Sequence, residues 1–406
     1  MAFRLWFVRA HGPVLCLVFT ALTLAIVLSS TPGWQWQSLW AASRATGSTI
    51  VVAPVLAGVI AFVVQRRLTG AARLLSASSR KGVAGALALA AVPWSAALVG
   101  LGAGMTFVAV RTASVVGSFD VPVWVLVHGL VALTAASLFG LAVGVCVPNL
   151  AAGPLAASLA YVLPILLLPF GVEGLMAAPG ATGPAFGMEP DPTVHSAMIV
   201  VNVAVGALCA VIAVGRLGPV RRRWWYGAGA LGVAVVIAGG TLSTMDPRMA
   251  WLRPVADDPV CVGADTQVCG PPDSAALLRI AEADIADARA FLAERGLPTT
   301  GRYSFTPRPG TADSEVGVLH AEPFAVLDGR LGSWDVAATI ATPSACPEYF
   351  EDMPPEDLLV AQARLASWVS DARAGRGALV DDDVLQTYDA LDACDASALP
   401  DWAYGE

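Results

Sequence analysis

The chain has almost no lysine: Lys81 is the single one in 406 residues. A phosphate-binding loop needs G-x-x-x-x-G-K-[ST]. Lys81 follows Arg80 and precedes Gly82, so the chain cannot hydrolyse ATP through such a loop. Acids are scarce in the first 245 residues, where four Asp and Glu stand against thirteen Arg and Lys. Histidine is scarce throughout, with only His11, His128, His195 and His320. That excludes a His-rich metal site and the H-E-x-x-H zinc motif. No G-x-S-x-G elbow occurs, which removes local support for a serine hydrolase. After residue 244 long apolar runs are missing, and the balance reverses to eleven basic residues against twenty-eight acidic ones. A composition shift of that size marks a domain boundary, and the acidic half argues against nucleic acid as a partner.

What the first part does contain is apolar sequence, in a chain whose mean hydropathy is +0.65. Uncharged runs cover residues 13–30, 47–64, 83–110, 121–147, 154–170, 197–214 and 227–244. Each is close to the roughly 20 residues that a membrane-spanning helix needs. Arg4 and Arg9 before the first run suit a signal peptide, but the run is long and six more follow, so a first spanning helix is preferred. The run 83–110 exceeds one span and must tilt or break, with Pro93 a place for a kink. Residues 31–48 read as an outer loop whose Trp34, Trp36 and Trp40 suit a headgroup belt. A short outer turn carries Arg111 and Asp120, and a longer outer loop, 171–196, has acids but no basic residue.

Basic residues set the direction. Residues 65–81 hold Arg66, Arg67, Arg73, Arg80 and Lys81 and no acid; Arg216, Arg221, Arg222 and Arg223 gather in a second loop. With the N-terminus and these loops inside, eleven basic residues are cytoplasmic and two are outside. Such a bias orients a membrane protein, so the tail after residue 245 is expected outside. No Asp, Glu, Lys or Arg lies mid-span, which disfavours a proton-coupled pump. His128 is the one titratable candidate for a proton relay in a span, and it reads as a packed histidine before a relay. The pairs Gly100/Gly104 and Gly140/Gly144 are G-x-x-x-G spacings for close helix approach.

The tail reads as α+β. A helix over 274–295 follows from Leu277, Leu278, Ala281, Ile285, Ala288 and Leu292, with Asp273 or Ser274 as cap and Gly296 as stop. Strands are expected at 302–306, 315–319, 324–327 and 334–340, then helices from about 355 and over 381–393. His320-Ala321-Glu322 matches half of the zinc-deaminase signature, but the P-C-x-x-C half is absent and the match reads as chance. Asp381, Asp382 and Asp383 suit a helix start better than a calcium loop. No catalytic group emerges, so the chain is read as neither an enzyme nor a cofactor protein. Cys16, Cys146 and Cys209 fall in spans. Cys261, Cys269, Cys346 and Cys394 form an even set on the oxidising side, with three possible pairings. Cys261–Cys269 and Cys346–Cys394 are the expected disulfides. A zinc site built from all four thiolates is the rival, and neither pair has the short cysteine spacing that such sites favour.

The first 216 residues resemble the permease subunits of ABC-2 type ABC transporters. They have six spans, a basic loop between the second and third, and a longer outer loop between the fifth and sixth. The segment Arg66-Arg67-Leu68-Thr69-Gly70-Ala71-Ala72-Arg73-Leu74-Leu75 is similar to the family's loop, with Arg73 where the family carries an acid. The resemblance implies that Arg66, Arg67, Arg73, Leu74, Leu75, Arg80 and Lys81 form a coupling helix on a separate ATP-binding subunit. It also implies that loop 171–196 covers the outer mouth. The expected architecture is a polytopic α-helical membrane bundle of about seven spans followed by a small α+β extracellular domain. Its regions are 1–216 (six-helix permease-like), 217–245 (basic loop and seventh span) and 246–406 (acidic and extracytoplasmic). The implied partners are the ATPase subunit, membrane lipid, and a second permease subunit or a second copy of this chain. The other reading is a non-transporting anchor for an extracellular binding or sensing domain in the cell membrane.

Overall fold

The structure is a computed structural model. It describes residues 11–29, 33–68, 79–167, 175–178, 181, 183–217, 251–255, 258–305, 316–321, 323, 326, 329–344, 356–376 and 380–404. The described chain is mostly helical with a small sheet region. It divides into two compact units, Met1–Ser30 with Ser38–Pro254, and Thr31–Gln37 with Val255–Glu406.

The first unit is built from α1 (Gly12–Leu28), α2 (Ser38–Gly47), α3 (Thr49–Leu68), α4 (Ser79–Val116), α5 (Val123–Cys146), α6 (Ala152–Leu167) and α7 (Pro192–Leu217). Four stretches are long and apolar enough to cross a membrane: Ser38–Arg67, in which α2 runs on into α3, then Ala84–Val116, Val123–Cys146 and Pro192–Leu217. Helices α1 and α6 are apolar but shorter. The apolar run 227–244 lies outside the described residues.

Small residues let these helices close on one another. A Cβ on Gly140 or Gly144 of α5 would stand 2.3 Å or 2.7 Å from the carbonyl oxygen of Ala57 or Ala61 on α3. Gly100 of α4 abuts the Phe19 backbone of α1 in the same way, and Gly104 makes room for the Thr23 side chain. Both G-x-x-x-G pairs therefore pack within the bundle, where backbone approach replaces side-chain volume.

Three expectations about the connections change. Residues 38–47 are not loop but helix α2, whose Leu39, Trp40, Ala41 and Ala42 are buried. Its Arg44 donates from Nη2 to the Ile26 carbonyl (3.4 Å), near the end of α1, where helix carbonyls lack an internal partner. Arg111 sits inside α4, which passes Pro93 unbroken and runs to Val116. Gly117, at φ 87°, ends α4 in the left-handed conformation that a helix stop favours. Helix α7 starts at Pro192, not 197, because the Asp191 Oδ1 accepts from the Thr193 amide (2.7 Å) and caps it.

The second unit has a four-stranded sheet in the order β3 (Val260–Val262), β4 (Gln267–Gly270), β5 (Arg302–Ser304), β6 (Val316–Val318). β3 and β4 form an antiparallel hairpin, while β4–β5 and β5–β6 are parallel. Gly263 (φ 95°) opens the hairpin turn, where a Cβ would strike the Thr266 carbonyl oxygen at 2.0 Å. Helix α8 (Ala275–Ala293) buries the six residues its spacing predicts. Gly296 (φ 85°) stops it, and the Leu297 amide donates back to the Leu292 carbonyl. Residues 334–340 are not a strand: Ser333–Ile340 is helix α9, with Val336, Ala337, Thr339 and Ile340 buried. Those positions follow helical spacing, and the Thr339 hydroxyl donates to the Asp335 carbonyl (2.8 Å). Helices α10 (Glu356–Arg373) and α11 (Asp382–Asp392) complete the unit. Asp381 caps α11 by accepting from the Val384 amide (3.0 Å). The strand expected at 324–327 falls almost wholly outside the described residues.

Candidate functional site at one end of the helical unit

The basic loop is only partly described. Arg66 and Arg67 are exposed at the C-terminal end of α3, and Arg80 and Lys81 belong to the first turns of α4. Arg73, Leu74 and Leu75 lie outside the described residues. Among the cysteines, Cys261 and Cys269 face each other across the β3–β4 hairpin, with Cα atoms 4.1 Å apart, and are bonded. Cys394 is also disulfide-bonded; its expected partner, Cys346, lies outside the described residues.

At the opposite end of the helical unit the connections converge. The Asp120 amide donates to the Ser38 hydroxyl (3.1 Å), joining the start of α2 to the α4–α5 turn. Strand β1 (Met188–Pro190) pairs antiparallel with β2 (Leu252–Pro254), and Arg253 bridges to Glu189 at 2.6 Å. β1 precedes α7, so β2 brings the chain back to the end at which α7 starts.

Below this ribbon, the described part of loop 171–196 enters the bundle. Leu175, Met176, Ala177 and Ala178 are buried although they are not helical. The Met176 amide donates to the Asn202 Oδ1 (2.8 Å), and the Ala178 amide donates to the Thr49 Oγ1 (2.8 Å). Asn202 is fully buried and lies about 15 Å along α7 from Pro192, at 1.5 Å per residue. Irregular backbone at that depth must find partners inside the protein, and these two side chains supply them.

Between ribbon and buried segment sits a histidine pair. His128 on α5 and His195 on the first turn of α7 are both fully buried, with their Nδ1 atoms 3.3 Å apart. One Nδ1 carries the hydrogen and the other accepts it; two protonated rings would set N–H against N–H. Trp251 covers both rings, at centroid distances of 5.8 Å and 5.5 Å. The Trp251 carbonyl accepts from the Asp191 amide (3.0 Å) and approaches the His195 ring. Among the described residues the His195 Nε2 makes no fuller hydrogen bond than this approach. The sequence singles out His128 alone. Nothing in its pattern reveals that His195, 67 residues on, or Trp251 would join it.

In the second unit His320 is held, not free. Its Nε2 lies 3.1 Å from the Thr342 hydroxyl and 3.3 Å from the Gln362 amide nitrogen, and Gln362 also donates to Thr342. Burial lowers the His320 pKa and keeps the ring neutral. Among the described residues no group of three or more His, Cys, Asp or Glu could hold a metal. An open cavity of about 540 Å³ is lined by Asp265, Gln267, Thr300, Arg302, Tyr388 and Asp392. The Tyr388 hydroxyl accepts from the Thr300 amide (3.0 Å), and burial raises its pKa. Compared with known protein families, curated proteins and solved structures, the chain finds no match.

Proposed function

We propose that this chain is a multi-pass membrane protein of permease type. Its basic end docks a separate ATP-hydrolysing subunit, and its disulfide-bearing unit lies outside. The observation that carries this reading is the segment 175–178, held inside the bundle by Asn202 and Thr49. A loop of polar-anchored irregular backbone, set among apolar helices, suits a closed outer mouth. The ends of the unit support the orientation. Ser38, Asp120 and the β1–β2 ribbon gather at one end, while Arg66 and Arg67 lie at the other. Helix α3 alone is about 30 Å long, the thickness of a hydrocarbon core. Leu217 and Trp251 fall at opposite ends of α7, which suits a seventh span expected from the sequence between them.

The test is co-purification of an ATPase from the native membrane. Leu74→Asp with Leu75→Asp keeps every basic residue but spoils an apolar contact, and is expected to lose the ATPase. Retention of the ATPase by that variant rejects the coupling loop.

A second reading, an anchored accessory or sensor protein, is favoured by the cavity beside Tyr388 in the disulfide-bearing unit. It predicts that no ATPase co-purifies with the wild-type chain and that the cavity residues matter more than Leu74 and Leu75.

A further inference from the structure

We propose that Trp251–Pro254 is a latch that holds the outer mouth of the helical unit shut. This goes beyond the permease reading by assigning the regulation of its mouth.

Four contacts fix the latch, and each is of a reversible kind. β2 pairs with β1 over only three residue pairs, Met188 with Pro254, Glu189 with Arg253 and Pro190 with Leu252. The Arg253–Glu189 ion pair is solvent-exposed, where such pairs hold weakly. The Asp191 amide gives its hydrogen to the Trp251 carbonyl, just where α7 begins. The Trp251 ring packs half-buried on the helical core and over His128 and His195.

What the latch covers is unusual for a packed core. The buried His195 Nε2 lacks a fully formed hydrogen bond among the described residues, and the segment beneath depends on two side-chain acceptors for its amides. Polar groups of this kind favour water once it can reach them. Trp251 is the side chain that lies over the histidine pair from the loop side. Lifting it lets water satisfy the His195 Nε2 and reach toward Met176 and Ala178.

The chain order supplies the handle. Pro254 is the last residue of the helical unit and Val255 the first of the long segment of the other. The latch therefore lies directly beside the chain boundary between the two units. β1, on which β2 rests, is separated from α7 only by Asp191. The β2 strand thus bears on the start of α7, the helix that carries both His195 and Asn202.

The test reads accessibility and needs no substrate. In the full chain with Cys16, Cys146 and Cys209 replaced by Ala, Ala178→Cys is treated from outside with a membrane-impermeant maleimide. Labelling at residue 178 is followed by peptide mapping. The latch predicts slow labelling with Trp251 present and at least tenfold faster labelling in Trp251→Ala. A second arm adds Glu189→Cys with Arg253→Cys and oxidises the pair, which is expected to slow labelling at 178 below the rate before oxidation. Equal rates with and without Trp251, or no change on oxidation, overturn the latch. The cross-link arm guards against misfolding of Trp251→Ala, since it compares one preparation before and after oxidation. Neither arm involves an ATPase, so loss of the latch leaves the permease reading standing, and the reverse also holds.

Discussion

The two units solve the same packing problem by opposite means. The helical unit closes through absent side chains: Gly140, Gly144, Gly100 and Gly104 bring backbones together. The disulfide-bearing unit closes through present ones. α8 lays down a stripe of Leu, Ile and Ala, and Arg289 ties Asp265, Thr266 and Thr299. Burying apolar stripes drives assembly where the alternative is water. Where the alternative is lipid, that drive is gone, and close van der Waals contact with satisfied backbone has to serve instead. The contrast is the one expected if the helical unit lies in a membrane, as proposed, and the other unit in water.

The largest test of that contrast is to fill the glycine seam. Gly140→Ala with Gly144→Ala is expected to destabilise the helical unit by about 3 kcal/mol or more, because each Cβ meets backbone and not a flexible side chain. The fraction of protein that stays monodisperse on heating in detergent measures it. Gly102→Ala, where nothing lies within 4 Å, is the matched control and should cost nothing.

Next comes the disulfide. Cys261→Ser with Cys269→Ser is expected to cost the second unit about 2.5 kcal/mol from loop entropy. The melting of the helical unit should not change, and a shift of both transitions together breaks the division into two units. Within the helical unit, His128→Leu removes the described partner of the His195 Nδ1 and is expected to cost about 2 kcal/mol. Substitution of His195 by Leu as well should recover part of that loss, read by the same heating assay.

Asp381→Ala removes the cap of α11 and should cost the second unit about 1 kcal/mol, seen as a lower melting temperature of that unit. The smallest effect concerns pH. Burial lowers the His320 pKa, so the unfolded state binds the proton more readily. The stability it contributes is present above the ordinary histidine value of about 6.5 and declines as pH falls below it. His320→Gln should flatten that decline in denaturant titrations of the second unit taken between neutral and mildly acidic pH.

Much of this was legible in the sequence, for reasons that are local. Apolar runs named the helices, because a long uncharged apolar run is a local signal that length and composition alone can carry. The stripe in α8 and the Asp381 cap could be read because their signals lie within one or two turns. The Cys261–Cys269 bond could be read because only seven residues lie between its ends, although the strands that carry it were not. Residues 334–340 misled, since a short run of Trp, Val, Thr and Ile fits either period. The outer loop 31–48 misled because Trp and Arg suggest an interface until their burial is known.

The tertiary structure alone decided which distant residues meet. No spacing predicts that Asn202 and Thr49 would hold Met176 and Ala178, since the pairs are separated by 26 and 129 positions. Nor does it predict that Trp251 would lie on His128 and His195, or that residues 31–37 would belong with the tail and not with the helices beside them. Hydropathy and periodicity record what each segment faces, solvent or core, and that is a property of neighbours along the chain. A shared hydrogen bond between remote segments depends on register and rotation of whole helices, which the sum of many weak contacts sets only once the bundle has closed.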